Sequence, residues 1–224
     1  MGSSDLSAIA IFNSINNFKG VAQAFNSKGM CYENQGMLDS ALHYYDNALR
    51  INSKLGILPE LADNYNNIGM IYQYWGDYQK SIDYIRTAFA IDSKLGKQYE
   101  MAVDLSNIGL NYYYMQMFDT ALVYFTRAIS IAEYANRELS TAPFYNNIGL
   151  AYYGKQDFKK AIIYFKKAYE IADKVGNVLS KLSNLSNIGA VYKQLGDYSA
   201  SESYYLQSLE LANQTNYRKE AATS

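Results

Sequence analysis

The feature that most constrains this chain is a sequence period of 40 residues. Set in register at that spacing, Gly29, Gly69, Gly109, Gly149 and Gly189 fall in one column. Tyr32, Tyr72, Tyr112, Tyr152 and Tyr192 form a second column three residues on. Phe25, Tyr65, Leu105, Tyr145 and Leu185 stand four residues before the glycine. Ile68, Ile108, Ile148 and Ile188 stand directly before it, with Lys28 as the exception. A period between 20 and 50 residues specifies one array of stacked modules. It therefore overrides any domain count drawn from the length of 224 residues.

Offsets of three and four put these columns on one face of a helix, called A. In the second repeat it is expected from about Pro59 to Tyr74, with proline suited to the first turn. A turn follows, written "QGMLD" at 35–39, "WGDYQ" at 75–79, "QMFD" at 116–119, "KQDF" at 155–158 and "LGDY" at 195–198. A second helix, B, comes next, from about Tyr78 to Leu95 in the second repeat. Its small residues are Ala41, Ser81, Ala121, Ala161 and Ser201, then Ala48, Ala88, Ala128, Ala168 and Ser208. A bulky column of Tyr45, Ile85, Phe125, Phe165 and Tyr205 lies between them. Gly56, Gly96, Asn136, Gly176 and Asn216 are expected to end each B helix, since glycine and asparagine accept the left-handed conformation. Glycine inside helix A costs about 1 kcal/mol relative to alanine. Its recurrence implies a close crossing of A and B that a Cβ would obstruct.

The order aromatic–x–x–Ile–Gly–x–x–Tyr, then Gly-Asp-Tyr, then Ala–x–x–x–aromatic–x–x–Ala resembles the tetratricopeptide (TPR) repeat. The resemblance covers nearly the whole chain. In its repeat length of 40 residues it looks like long-repeat members such as kinesin light chains, Leu-Gly-Asn-repeat adaptors and bacterial TPR signalling proteins. The proline usual after helix B is replaced by Ser53, Ser93, Glu133, Asp173 and Asn213. The implied fold is all-α, a right-handed superhelical solenoid of antiparallel helix pairs. Its expected modules are residues 17–56, 57–96, 97–136, 137–176 and 177–216. Residues 1–16 combine a short stretch compatible with cloning residues and the B helix of a preceding partial repeat: Ala8, Ile11 and Asn16 match Ala48, Ile51 and Gly56. Residues 217–224 align with the opening of a further A helix. A chain that begins and ends mid-repeat is expected to be a piece of a longer protein; the alternative is that these half-repeats are caps.

Composition excludes several function classes. The net charge of −1, with acids and bases interspersed, shows no polyanion-binding surface, so no nucleic-acid partner is expected of this segment. No apolar run approaches the roughly 18 residues needed to cross a bilayer, so no membrane partner is expected. With one histidine, His43, and one cysteine, Cys31, a zinc ligand set is out of reach. No phosphate-binding loop, dinucleotide fingerprint or nucleophile elbow is present, so no enzyme and no cofactor is expected. Lys159, Lys160, Lys166 and Lys167 form a small basic patch that a solvated outer face explains at least as well as phosphate binding, and Trp75 reads as a packing wedge at the A–B turn.

The resemblance implies that helix A lines a concave inner wall. The wall residues expected to meet a ligand are Asn66, Asn67, Met70 and Tyr74, then Asn107, Leu110, Tyr113 and Tyr114. The following repeats add Asn146, Asn147, Leu150 and Tyr153, then Asn187 and Lys193. Asn67, Asn107, Asn147 and Asn187 recur as a ladder; each carboxamide offers a donor and an acceptor to the peptide groups of an extended chain. The competing reading has each asparagine bonding the backbone of the neighbouring repeat. Apart from Glu33, Asp63 and Lys193 the wall is neutral, which disfavours a clamp for a C-terminal carboxylate. The expected function is a non-catalytic scaffold or adaptor that binds an extended or helical segment of a protein partner in its groove. The alternative is a regulatory or sensor module of a larger bacterial signalling protein, a sensor kinase or transcription regulator. A cytoplasmic location is expected, or a periplasmic one within a bacterial sensor, and end-to-end self-association through exposed terminal repeats is left open.

Overall fold

The computed structural model describes the backbone of residues 17–223 and side chains through residue 215. The readings made of residues 1–16 and of Ser224 lie outside the described residues. Ten α-helices follow one another, and no strand occurs among the described residues. They are α1 (Phe18–Asn34), α2 (Leu38–Leu55), α3 (Leu58–Tyr74), α4 (Tyr78–Leu95), α5 (Gln98–Tyr114), α6 (Phe118–Tyr134), α7 (Ala142–Gly154), α8 (Phe158–Lys174), α9 (Val178–Gln194) and α10 (Tyr198–Thr223). The fold class is therefore all-α, built of TPR-type helix pairs. Two compact units divide the chain inside α5, Met1–Asn111 and Tyr112–Ser224.

In the first unit α1 packs on α2, α2 on α3, and α3 on α4. Ala41, Tyr45, Ile68 and Ile71 form a buried cluster there, joined by Tyr32, Leu42 and Tyr72. In the second unit α6 packs on α7, α7 on α8, α8 on α9, and α9 on α10. Its buried cluster is Ala161, Phe165, Ile188 and Val191, the same columns three repeats later. The small-residue column of helix B is buried throughout, from Ala41 to Ser201. The close crossing is real: a Cβ on Gly69 would lie 2.7 Å from Ile85 Cγ1 and 3.2 Å from the Ser81 carbonyl oxygen. On Gly149 it would lie 2.5 Å from the Phe165 ring. Lys28, in the isoleucine column, is 8% exposed; its stem packs inward and its ammonium lies 4.6 Å from the Tyr44 ring centre.

Caps mark the turns. Asn17, Asp77, Asp157, Asn177 and Asp197 each accept a backbone N–H three residues on through their side-chain oxygen. B helices end with left-handed residues at Gly56, Gly96, Asn136 and Gly176. The stop expected at Asn216 is absent, and α10 continues to Thr223. Asparagine carries a Cβ, so the left-handed turn costs about 1–2 kcal/mol. At Asn136 the turn is closed by the Arg137 N–H to the Ala132 carbonyl at 2.8 Å. At Asn216 the helix propagates instead. In the fourth repeat a 3-10 turn, Glu138–Ser140, replaces the start of helix A. Pro143 explains the shortening: further inside a helix, its ring would meet the carbonyl four residues back.

Candidate functional site

In the first unit, α3 carries Asn66, Asn67, Met70 and Tyr74 at offsets that share a helical side, and α5 adds Asn107 and Leu110. Tyr74 is exposed and the other five are half-buried. The amide hydrogens of Asn67 donate to Asn26 Oδ1 at 3.0 Å, and those of Asn107 to Asn66 Oδ1 at 3.0 Å. Asn66 in turn donates to Asp104 Oδ1 at 2.9 Å. These bonds run between A helices of neighbouring repeats. The competing sequence reading thus describes where the amide nitrogens of Asn67 and Asn107 go, with a side-chain acceptor in place of the expected backbone one. Their carbonyl oxygens have no hydrogen-bond partner among the described residues.

A second polar layer lies beneath, and the sequence reading missed it. Asn52 donates to Asn64 Oδ1 at 2.8 Å, and Asn64 to Asn26 Oδ1 at 3.3 Å. Asn52, Asn64, Asp92 and Asp104 are all at most 3% exposed. Burial pushes the Asp104 carboxyl up to about 8, reinforced by Asp92, Asp63 and Glu100. Burial also raises Asp92 to about 6, against the pull of Lys97. Exposed Asp63 is raised by desolvation, with Lys97 opposing and Glu60 and Glu100 reinforcing. The signal was available, because polar residues recur at positions 52, 64, 92 and 104, the same two columns of successive repeats. The net charge of −1 concealed this local acidity.

In the second unit, Tyr113, Tyr114, Asn146, Asn147, Leu150, Tyr153, Asn187 and Lys193 lie on α5, α7 and α9. Tyr114 and Lys193 are exposed; the rest are half-buried. Asn146 donates to Asn184 Oδ1 at 2.9 Å, again between A helices of neighbouring repeats. Leu150 and Tyr153 pack against the buried cluster of α8 and α9, so part of their surface is already used. The Tyr113 ring lies 5.5 Å from Tyr114 and 5.7 Å from Phe118, and burial raises its phenol.

A pair of stacked tyrosines also recurs in each repeat. Tyr32–Tyr44, Tyr72–Tyr84, Tyr112–Tyr124, Tyr152–Tyr164 and Tyr192–Tyr204 have ring centres 5.2–5.5 Å apart and planes within 18°. The first column is the one that follows the glycine; its partner column on helix B was not singled out. Lys80 and Lys160 sit over such pairs, 4.1 and 5.0 Å from the Tyr72 and Tyr152 ring centres. Lys159, Lys160, Lys166 and Lys167 are exposed, and Trp75 meets the Tyr72 ring edge-on at 5.3 Å. Exposed His43 lies 3.1 Å from Asn47 Nδ2. No group of three metal-ligating side chains and no helix long and apolar enough to cross a membrane occurs among the described residues.

The family model for the tetratricopeptide repeat matches residues 20–94, 60–134 and 140–214. The chain belongs to that family. No curated protein matches it in sequence. Among solved structures it is similar to BtubC (BKLC) from P. vanneervenii, with 19% identity and a TM-score of 0.78 over 96% of this chain and 90% of that one. It is similar to the Rap conjugation gene regulator of the plasmid pLS20 in complex with the Phr* peptide, with 19% identity, a TM-score of 0.78, and 91% and 56% of the two chains covered. It is also similar to a putative kinesin light chain repeat protein from Podosopora anserina, with 14% identity, a TM-score of 0.66, and 87% and 96% covered. This chain spans little more than half the length of the Rap regulator.

Proposed function

We propose that this chain is a non-catalytic scaffold whose A helices hold an extended or helical segment of a protein partner. One observation carries the reading. Asn67 and Asn107 are anchored through their nitrogens, while their carbonyl oxygens remain unused beside half-buried Met70 and Leu110. An anchored amide loses little rotamer freedom when its oxygen accepts a peptide N–H, so ordering costs little at binding. Met70, Leu110 and exposed Tyr74 supply apolar contact that tolerates varied side chains. In the second unit Tyr114, Asn146, Asn147, Asn187 and Lys193 take the corresponding part, with Tyr113, Leu150 and Tyr153 contributing their uncovered edges. The Rap regulator, similar in fold, is itself a peptide complex, which supports a peptide as the kind of ligand.

That same similarity favours a second reading, a regulatory module within a larger signalling protein, since this chain matches just over half of a gene regulator. Selection of binders from a random peptide display library, followed by titration of the selected peptides, tests the first reading. Asn107→Ala is expected to weaken binding by about 0.5–1.5 kcal/mol per bond lost, beyond a stability loss of similar size from its bond to Asn66, which a denaturation curve measures separately. Unchanged affinity in both Asn67→Ala and Asn107→Ala would remove these residues from the site.

A further inference from the structure

A small cleft opens where the first two A helices meet the first B helix. Its lining includes Asn26 on α1, Asn52 on α2, and Glu60, Asp63 and Asn64 on α3, around about 40 Å³ of free space. Exposed Asp63 borders the mouth, and Asn52, 3% exposed, lies at the floor. The amide nitrogens of the floor are already engaged. Asn52 donates to Asn64 Oδ1 at 2.8 Å, and Asn64 to Asn26 Oδ1 at 3.3 Å. What this leaves over is an acceptor: Asn52 Oδ1 is buried and has no hydrogen-bond partner among the described residues. A buried oxygen in that state is costly until something donates to it.

The charge around the cleft calls for the same kind of occupant. Glu60 pairs with Lys19 at 3.0 Å, whereas Asp63 has no hydrogen bond or ion pair among the described residues. The charged groups acting on Asp63 are Lys97, which is drawn to Asp92 at 3.9 Å, and the acidic Glu60 and Glu100. A fitting occupant is therefore compact, cationic and made only of donors. A lysine ammonium has that form, a point charge with three N–H groups and no acceptor. The free space exceeds the roughly 10–15 Å³ that one water needs, so such a head group fits. A metal ion is poorly served, since no group of three metal-ligating side chains occurs among the described residues.

We propose that this cleft takes the ammonium of a lysine side chain carried by the partner segment, with Asn52 Oδ1 as the acceptor at the floor and Asp63 as the countercharge at the mouth. The inference rests on the reading of the A helices as a peptide-binding wall. The cleft adjoins that wall, because Asn26 Oδ1 also receives the Asn67 amide at 3.0 Å. A segment lying on α1 and α3 passes the mouth, and a long lysine stem reaches inward while the main chain stays at the surface. Packing of the joint does not require this lining. Two repeats later the columns of Asn52, Asp63 and Asn64 hold Ala132, Pro143 and Phe144.

The test uses two probes on the intact chain. The first is N-acetyl-lysine N-methylamide, titrated into isotope-labelled protein with the side-chain amides of Asn26, Asn52 and Asn64 assigned by NMR. Saturable shifts of these amides are expected, and none with the norleucine analogue, which keeps the stem and lacks the charge. Asp63→Asn, exposed and nearly isosteric, is expected to weaken the lysine probe severalfold, with a melting curve confirming that the variant is folded. No saturable lysine-dependent shift, or equal affinity in Asp63→Asn, would mean that the cleft holds water only and would overturn the proposal. The second probe is a display-selected peptide with each lysine replaced in turn by norleucine. One replacement is expected to cost severalfold in affinity for the wild type and little for Asp63→Asn. Selected peptides that bind without any dependence on lysine would sink the cleft and leave the wall reading standing. Shifts with the lysine probe where no peptide can be selected would uphold the cleft as an ammonium site and overturn the wall reading.

Discussion

The two units solve the same packing problem with different chemistry. Where helix B hands over to the next helix A, the first unit buries Asn52 with Asn64, then Asp92 with Asp104. The equivalent positions of the second unit hold Ala132 with Phe144, then Ala172 with Asn184, and all four are buried. The array therefore tolerates either kind of joint. The polar one contributes only when each donor meets an acceptor, since a buried unpaired group costs about 1–3 kcal/mol. The apolar one contributes through volume and has no titratable part. The A–B turn differs as well. Gly36 and Gly76 take positive φ in the first unit, whereas Gln116 and Gln156 take it in the second, with Gly196 closing the series.

The contrast is most sharply tested at Phe144. Phe144→Ala is expected to cost about 3–5 kcal/mol in chemical denaturation, because a filled joint becomes a cavity. A loss below about 1 kcal/mol would mean that the second unit does not rely on apolar filling there. Next in size, Asn64→Ala removes the acceptor of the Asn52 amide and one of the N–H groups donated to Asn26 Oδ1. A loss of about 1–3 kcal/mol is expected, with faster amide exchange confined to the first unit. Exchange that quickens equally in both units would break the comparison. The smallest effect belongs to the turns: Gln156→Gly relieves a Cβ held at φ 61° and is expected to stabilise by about 0.5–1 kcal/mol. Gly76→Ala runs the other way. Equal midpoints for both would show that the turn conformation carries no cost.

Much of the fold was legible because the signal repeats. Gly69 over Ile85 and Gly149 over Phe165 are local crossings of adjacent helices, and residues in register four or five times reveal them. The end of α10 was misread because Asn216 shares its residue type with Asn136, yet a helix stop depends on the turn being closed by bonds that residue type does not encode. The candidate wall was legible as a face and not as a set of free atoms. Lys28 illustrates the limit from the other side, a charged residue in an apolar column whose tolerance rests on the Tyr44 ring beside it.

Sequence alone determined the alternation of A and B helices, the glycine crossing and the family, because each depends on contacts between residues close in the chain and repeated at a fixed period. Tertiary structure alone decided which amide atoms are consumed and which remain open. Asn67 reaches Asn26 across 41 positions, and Asn66 reaches Asp104 across 38. Whether two such groups meet is set by helix packing and rotamer choice. It decides how a carboxyl titrates and what a wall can still bind.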